Sequence, residues 1–145
     1  MLPSVVEPVD VGERGPLDVL GLAAELATSD HAQRKVACDT YRTAVLAALE
    51  PLGFQLNGDP SRTIVSTLNL SLPGLDSEAV MLALKGLVAI SNGSACTSQK
   101  YEPSHVLEAM NLTEDAVRGA LRLSWSHLTP PADWSEVSQR VRALK

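Results

Sequence analysis

Residues 63–72, Thr63-Ile64-Val65-Ser66-Thr67-Leu68-Asn69-Leu70-Ser71-Leu72, alternate apolar and polar side chains for most of their length. Ile64, Leu68, Leu70 and Leu72 fall on one side, and Thr63, Thr67, Asn69 and Ser71 on the other. That pattern predicts a strand with one wet face. Pro73-Gly74 ends it, and Asp76 is placed to cap a helix carrying Ala79, Val80, Leu82, Ala83 and Leu84. Upstream, a helical pattern starts at Leu17 and breaks at Thr28-Ser29-Asp30. A longer one follows, with Ala37, Cys38, Tyr41, Ala44, Val45, Ala48, Leu49 and Leu52 stepping by three and four along one face. Gly53 closes it, and Asn57-Gly58-Asp59-Pro60 is a turn cluster. Downstream, the apolar run Gly86–Ile90 reads as a buried strand, residues 103–110 as a helix, and Thr113 as the cap of another. Leu121-Arg122-Leu123-Ser124-Trp125 alternates like a strand, and Asp133 with Glu136 is a capping-box pattern opening a last helix. The expected fold is α+β, a small antiparallel or mixed sheet packed with helices. Residues 1–16, with three prolines and two glycines, form an extended lead-in, and residues 17–145 form the domain.

A chain of 145 residues is one domain by length. The net charge of −5 argues against a direct nucleic-acid partner, which calls for a basic face. No apolar run approaches the roughly 18 residues of a bilayer span, so no membrane is implied. The N-terminus lacks the basic-then-apolar pattern of a signal peptide. Two cysteines, Cys38 and Cys96, make no disulfide framework and no CxxC pair. The reading is a cytoplasmic protein.

Cys96 stands apart from Cys38. It lies in Ser91-Asn92-Gly93-Ser94-Ala95-Cys96-Thr97-Ser98, among small polar residues, between a predicted strand and a predicted helix. A structural cysteine usually packs inside an element as a small hydrophobe, which is the reading for Cys38 on its helical stripe. A loop cysteine is free to ionise and reach a partner, so Cys96 is the candidate nucleophile or sulfur carrier, against an incidental exposed thiol. Lys100 and His105 follow at spacings that could favour a thiolate but are not diagnostic. Cys96, Cys38 and His105 lack the spacing of a metal site. Arg122 either forms a surface ion pair or points its guanidinium into a pocket to hold a carboxylate. His31 reads as exposed at a helix start, His127 as structural, and Trp125 and Trp134 as core or interface anchors.

The motif Ser-Asn-Gly-Ser-Ala-Cys-Thr-Ser, residues 91–98, followed by Glu-Pro-Ser-His-Val-Leu, residues 102–107, resembles the active-site loop of PLP-dependent cysteine desulfurases of the class-V aminotransferase family. Leu56-Asn57-Gly58-Asp59, the strand at 63–72, Met81-Leu82-Ala83-Leu84-Lys85 and the later Arg122-Leu123-Ser124 segment are similar to that family as well. The resemblance covers about Leu17 to Lys145, the family's C-terminal small domain with its connecting helix. It implies the small-domain fold of fold-type I PLP enzymes. It also implies that Cys96 takes sulfur from L-cysteine as a persulfide, leaving L-alanine, and passes it to a sulfur-acceptor protein. Arg122 would hold the substrate carboxylate. In some members the loop cysteine also serves as a transient iron–sulfur ligand. Residues 90–98 are especially similar to the desulfurases linked to DNA phosphorothioation.

The sequence also departs from the family. PLP is the cofactor the resemblance implies, yet Lys35, Lys85, Lys100 and Lys145 lie in no His-Lys pair, and no counterpart of the large PLP-binding domain is present. The arginine that often follows the R-x-S segment is replaced around His127. The expectation is a chain inactive on its own, a fragment, a remnant, or one half of a split enzyme with a separate PLP-domain chain as partner. A non-catalytic sulfur-relay or interaction module is the alternative.

Overall fold

The computed structural model describes residues 15–92 and 104–145. Their backbone falls into two units, one ending at Gln33 and the other beginning at Arg34. The first contains helix α1, Pro16–Ser29, with Pro16 at its first turn and the Asp18 carboxylate accepting from the Gly15 N–H. None of its side chains is buried, and Leu17 and Leu20 are exposed.

The second unit is built on a three-stranded antiparallel sheet in the order β1-β2-β3: Gln55–Leu56, Thr67–Ser71 and Ala120–Ser124. Helix α2, His31–Leu49, leads into it through a 3-10 turn that ends at Gly53 in the left-handed region. α3, Ser77–Ala83, follows β2; α4, His105–Ala109, and α5, Glu114–Arg118, precede β3; α6, Trp134–Arg142, follows it. The caps fall where the sequence puts them. Asp76 accepts from the Glu78 and Ala79 N–H groups, and Thr113 from Ala116. Asp133 accepts from the Glu136 N–H, but the Glu136 side chain is taken by Arg140 Nε at 2.8 Å. The reciprocal half of the expected capping box is therefore replaced by an i,i+4 ion pair.

One sheet face carries the core. Leu68, Leu70 and Leu72 from the β2 segment and Leu121 and Leu123 from β3 pack with Cys38, Val45 and Leu49 of α2, Val80 of α3, and Val137 and Val141 of α6. Cys38 is the small core residue expected of it, a free thiol with its backbone carbonyl accepting from Trp125 Nε1 at 3.0 Å. Tyr41 stacks near Trp125 and meets Trp134 edge-on, with ring centroids 5.4 and 6.1 Å away. Burial in this cluster raises the Tyr41 phenol above its ordinary pKa. On the opposite face, Ala120 packs at one end with Leu107, Val117 and Leu112.

Two sequence expectations need correction, and one strand was not foreseen. The strand at 63–72 is shorter, because Pro60–Arg62 forms a 3-10 turn and Ile64 stands 68% exposed outside the ladder. Residues 86–90 form no strand. Gly86 turns at φ 86°, and only Ser91 reaches β3, through a single bridge to Arg122. A cavity of about 260 Å³ lined by residues 87–90 and Leu123–Trp125 lies along this segment. β1 has no repeat long enough to be read as a strand; it exists because Gln55 and Leu56 pair with Ser71 and Leu70.

Gly119 is the tightest steric point. A Cβ there would lie 2.5 Å from the Leu72 carbonyl oxygen and 3.0 Å from that of Leu75, both backbone atoms. The Gly119 carbonyl also accepts from the Leu72 N–H at 3.0 Å. Replacement Gly119→Ala is therefore expected to cost about 1–3 kcal/mol or more. A urea titration should show a lowered midpoint at unchanged slope, and an unmoved midpoint would refute this close approach.

Candidate functional site

The sheet face opposite the core holds the polar residues. In β3, Leu121 and Leu123 enter the core while Arg122 between them is exposed on the other side. Its register partner on β2 is Asn69. The Arg122 N–H donates to the Ser91 carbonyl at 2.6 Å and its own carbonyl accepts from the Ser91 N–H at 3.1 Å. Because its backbone is directed at Ser91, Arg122 faces Asn69 as the narrow, non-hydrogen-bonded kind of antiparallel pair, with Cβ atoms typically about 4.5–5.5 Å apart. Among the described residues no carboxylate pairs with Arg122.

Beside this pair runs a buried hydrogen-bond chain. Ser71, fully buried, donates its hydroxyl to the Ala116 carbonyl at 2.6 Å. Asn57 Nδ2 donates to Ser71 Oγ and to Asn69 Oδ1, each at 2.8 Å. The Asn57 backbone N–H donates to the Asn69 carbonyl at 3.0 Å. Asn57 Oδ1 is buried without a partner among the described residues, a cost that calls for a reason. The 3-10 turn from β1 to β2 is capped by Asp59, whose carboxyl is held below its ordinary pKa by hydrogen bonds from the Ser61 hydroxyl and N–H.

Of the residues singled out in the sequence, Arg122 is thus exposed and joined by backbone to Ser91. Cys96 and Lys100 lie outside the described residues. Cys38 is in the core, and His105 opens α4 as an exposed residue. His31 opens α2, exposed, and His127 is half-buried after β3. Among the described residues no group of three or more His, Cys, Asp or Glu side chains could hold a metal. No described helix is long and apolar enough to cross a membrane. Sequence reading missed Asn57, Asn69 and Ser71 as a unit. The available signal was Asn69 and Ser71 on the polar face of an alternating strand, one strand away from an Asn-Gly turn.

The described lysines do not fit a covalently held PLP. Lys35 and Lys85 are exposed with no adjacent histidine in sequence, and Lys145 Nζ donates to the Leu52 carbonyl at 2.6 Å. PLP chemistry needs a lysine aligned with the ring, and these side chains provide none.

A three-stranded antiparallel sheet packed with helices defines this as a small α+β domain. No family model matches the chain. Relatives are nevertheless clear. The chain is 34% identical over 124 residues to the cysteine desulfurase IscS of Photobacterium profundum, covering 85% of this chain and 30% of the relative. It is 35% identical over 127 residues to the cysteine desulfurase NifS of Azotobacter vinelandii, covering 84% and 31%. Among solved structures, a NifS-like protein from Rickettsia africae shares the fold, with a TM-score of 0.69 at 18% identity over 86% of this chain and 32% of that one. DndA from Streptomyces lividans gives a TM-score of 0.54 at 35% identity, covering 74% and 30%. The chain belongs with the PLP-dependent cysteine desulfurases, as their C-terminal domain. It spans about a third of the length of the relatives it matches.

The buried chain through Ser71 predicts a measurable dependence. Ser71→Ala strips the Ala116 carbonyl of its donor and Asn57 Nδ2 of one acceptor, at an expected cost of about 1–3 kcal/mol. Chemical denaturation checks this, and an unchanged stability would mean that the chain is not closed as described.

Proposed function

We propose that this chain is the sulfur-handling part of a cysteine desulfurase. Cys96 accepts sulfur from L-cysteine as a persulfide and passes it to an acceptor protein, while L-alanine is the carbon product. The observation that carries the reading is the likeness to cysteine desulfurases over 81–87% of this chain. The motif around Cys96 and the exposed Arg122, which has no ion pair with another described residue, support it.

In the proposed reaction the Cys96 thiolate attacks the substrate sulfur, forming an S–S bond as the carbon–sulfur bond breaks. The carbon keeps the electron pair and takes a proton, giving alanine, and the sulfur remains on Cys96. Thiolate attack suits a cysteine in a small-residue segment. Arg122 holds the substrate carboxylate by charge-assisted, bidentate hydrogen bonds, each worth roughly 1.5–3 kcal/mol. The described residues hold no lysine for PLP, so the carbon–sulfur cleavage that PLP supports requires residues other than these, in a PLP-bearing partner or domain. Transient iron–sulfur ligation by Cys96 is a finer reading that rests on the family resemblance, and service to DNA phosphorothioation rests on residues 90–98.

That none of the described lysines fits PLP also favours a second reading, a sulfur-relay module loaded by another desulfurase. Intact mass after incubation with L-cysteine and PLP, with and without an active donor desulfurase, separates the two. A gain of one sulfur atom in the native chain, abolished by Cys96→Ser, is expected with the donor present. The same gain without the donor would assign cleavage to this chain and refute the relay reading. No gain in either arm would sink the persulfide role of Cys96.

A further inference from the structure

Hydrogen-bond direction fixes which atom Asn69 presents beside Arg122. The Ala116 carbonyl can only accept, so at 2.6 Å the Ser71 hydroxyl must spend its proton there. Ser71 Oγ then needs a donor from Asn57, and the atom 2.8 Å away must be the NH2 group. That same NH2 lies 2.8 Å from the Asn69 amide, which must therefore turn its oxygen toward Asn57. The Asn57 oxygen is left buried and unpartnered, so the orientation is imposed by the chain of donors rather than by Asn57's own preference. No amide flip escapes this sequence, because each alternative sets two donors or two acceptors against each other.

Asn69 sits on the central strand, with Asn57 on the β1 side and Arg122 on the β3 side. With Oδ1 turned to Asn57, its Nδ2 is turned away from β1, and it has no acceptor among the described residues. The narrow pairing places the Asn69 amide and the Arg122 side chain next to each other on one face of the sheet. We propose that Asn69 is a second substrate-binding residue, donating its amide N–H to the carboxylate that Arg122 holds. This rests on the proposed role of Arg122 and adds the specificity element. Arg122 alone would attract any anion, whereas guanidinium and amide side by side select a planar carboxylate that can accept from both.

The test is an NMR titration of the full chain, following the Arg122 Nε–H and the Asn69 side-chain NH2. The probes are L-alanine and, lacking only the carboxylate, ethylamine. Both signals should move on one isotherm with L-alanine and neither with ethylamine. Asn69→Asp keeps an oxygen for Asn57 but replaces the donor with an acceptor. It should weaken L-alanine binding at least about tenfold with the remaining amide spectrum unchanged. If Arg122 responds while Asn69 stays still, or Asn69→Asp binds as tightly as the native chain, the role of Asn69 is overturned and that of Arg122 survives. If neither signal responds to L-alanine, the carboxylate reading of Arg122 fails with it. Should Asn69→Asp not fold, the native-chain isotherms decide alone.

Discussion

The register between β2 and β3 is the constraint on which the rest depends. Five residue pairs, from Thr67 opposite Ser124 to Ser71 opposite Ala120, set Leu68 and Leu70 beside Leu123 and Leu121 on the core face. The strand repeat is two, so a slip by one residue would drive Arg122 and Asn69 into the hydrocarbon core and expose the leucines. Burying an unpaired guanidinium is far costlier than losing a few apolar contacts. The core therefore dictates the polar face. Arg122 is exposed beside Asn69 because Leu121 and Leu123 must be inside.

That constraint was legible in the sequence where side-chain pattern alone decides the structure. The alternation of residues 67–72 and 121–125, the helix caps at Asp76 and Thr113 and the buried stripe through Cys38, Val45 and Leu49 could all be read directly. What could not be read depends on a partner distant in sequence. β1 is two residues long and is a strand only because β2 offers it an edge. The run Gly86–Ile90 is apolar enough for a strand, but a positive-φ turn at Gly86 and one bridge at Ser91 leave the rest unpaired. Periodicity reports which face is apolar and carries no information on whether a neighbouring edge is present.

The candidate site divides in the same way. Arg122 could be recognised as an arginine between two core leucines, and its exposure follows from that position. Asn69 could not, since an asparagine on the wet side of a strand reads as solvated. Its significance comes from three residues spread from Asn57 to Ala116, whose hydrogen bonds allow one direction only. The same network leaves Asn57 Oδ1 buried and unsatisfied. Such a cost is retained where it fixes the orientation of a neighbouring group.

Two kinds of rigidity meet at Arg122. Its side chain stands on a strand locked by leucines on one face, and its backbone N–H and carbonyl both engage Ser91. Ser91 is the first residue of the motif that contains Cys96. The backbone of the proposed carboxylate holder is thus the point to which the start of the cysteine motif is tied.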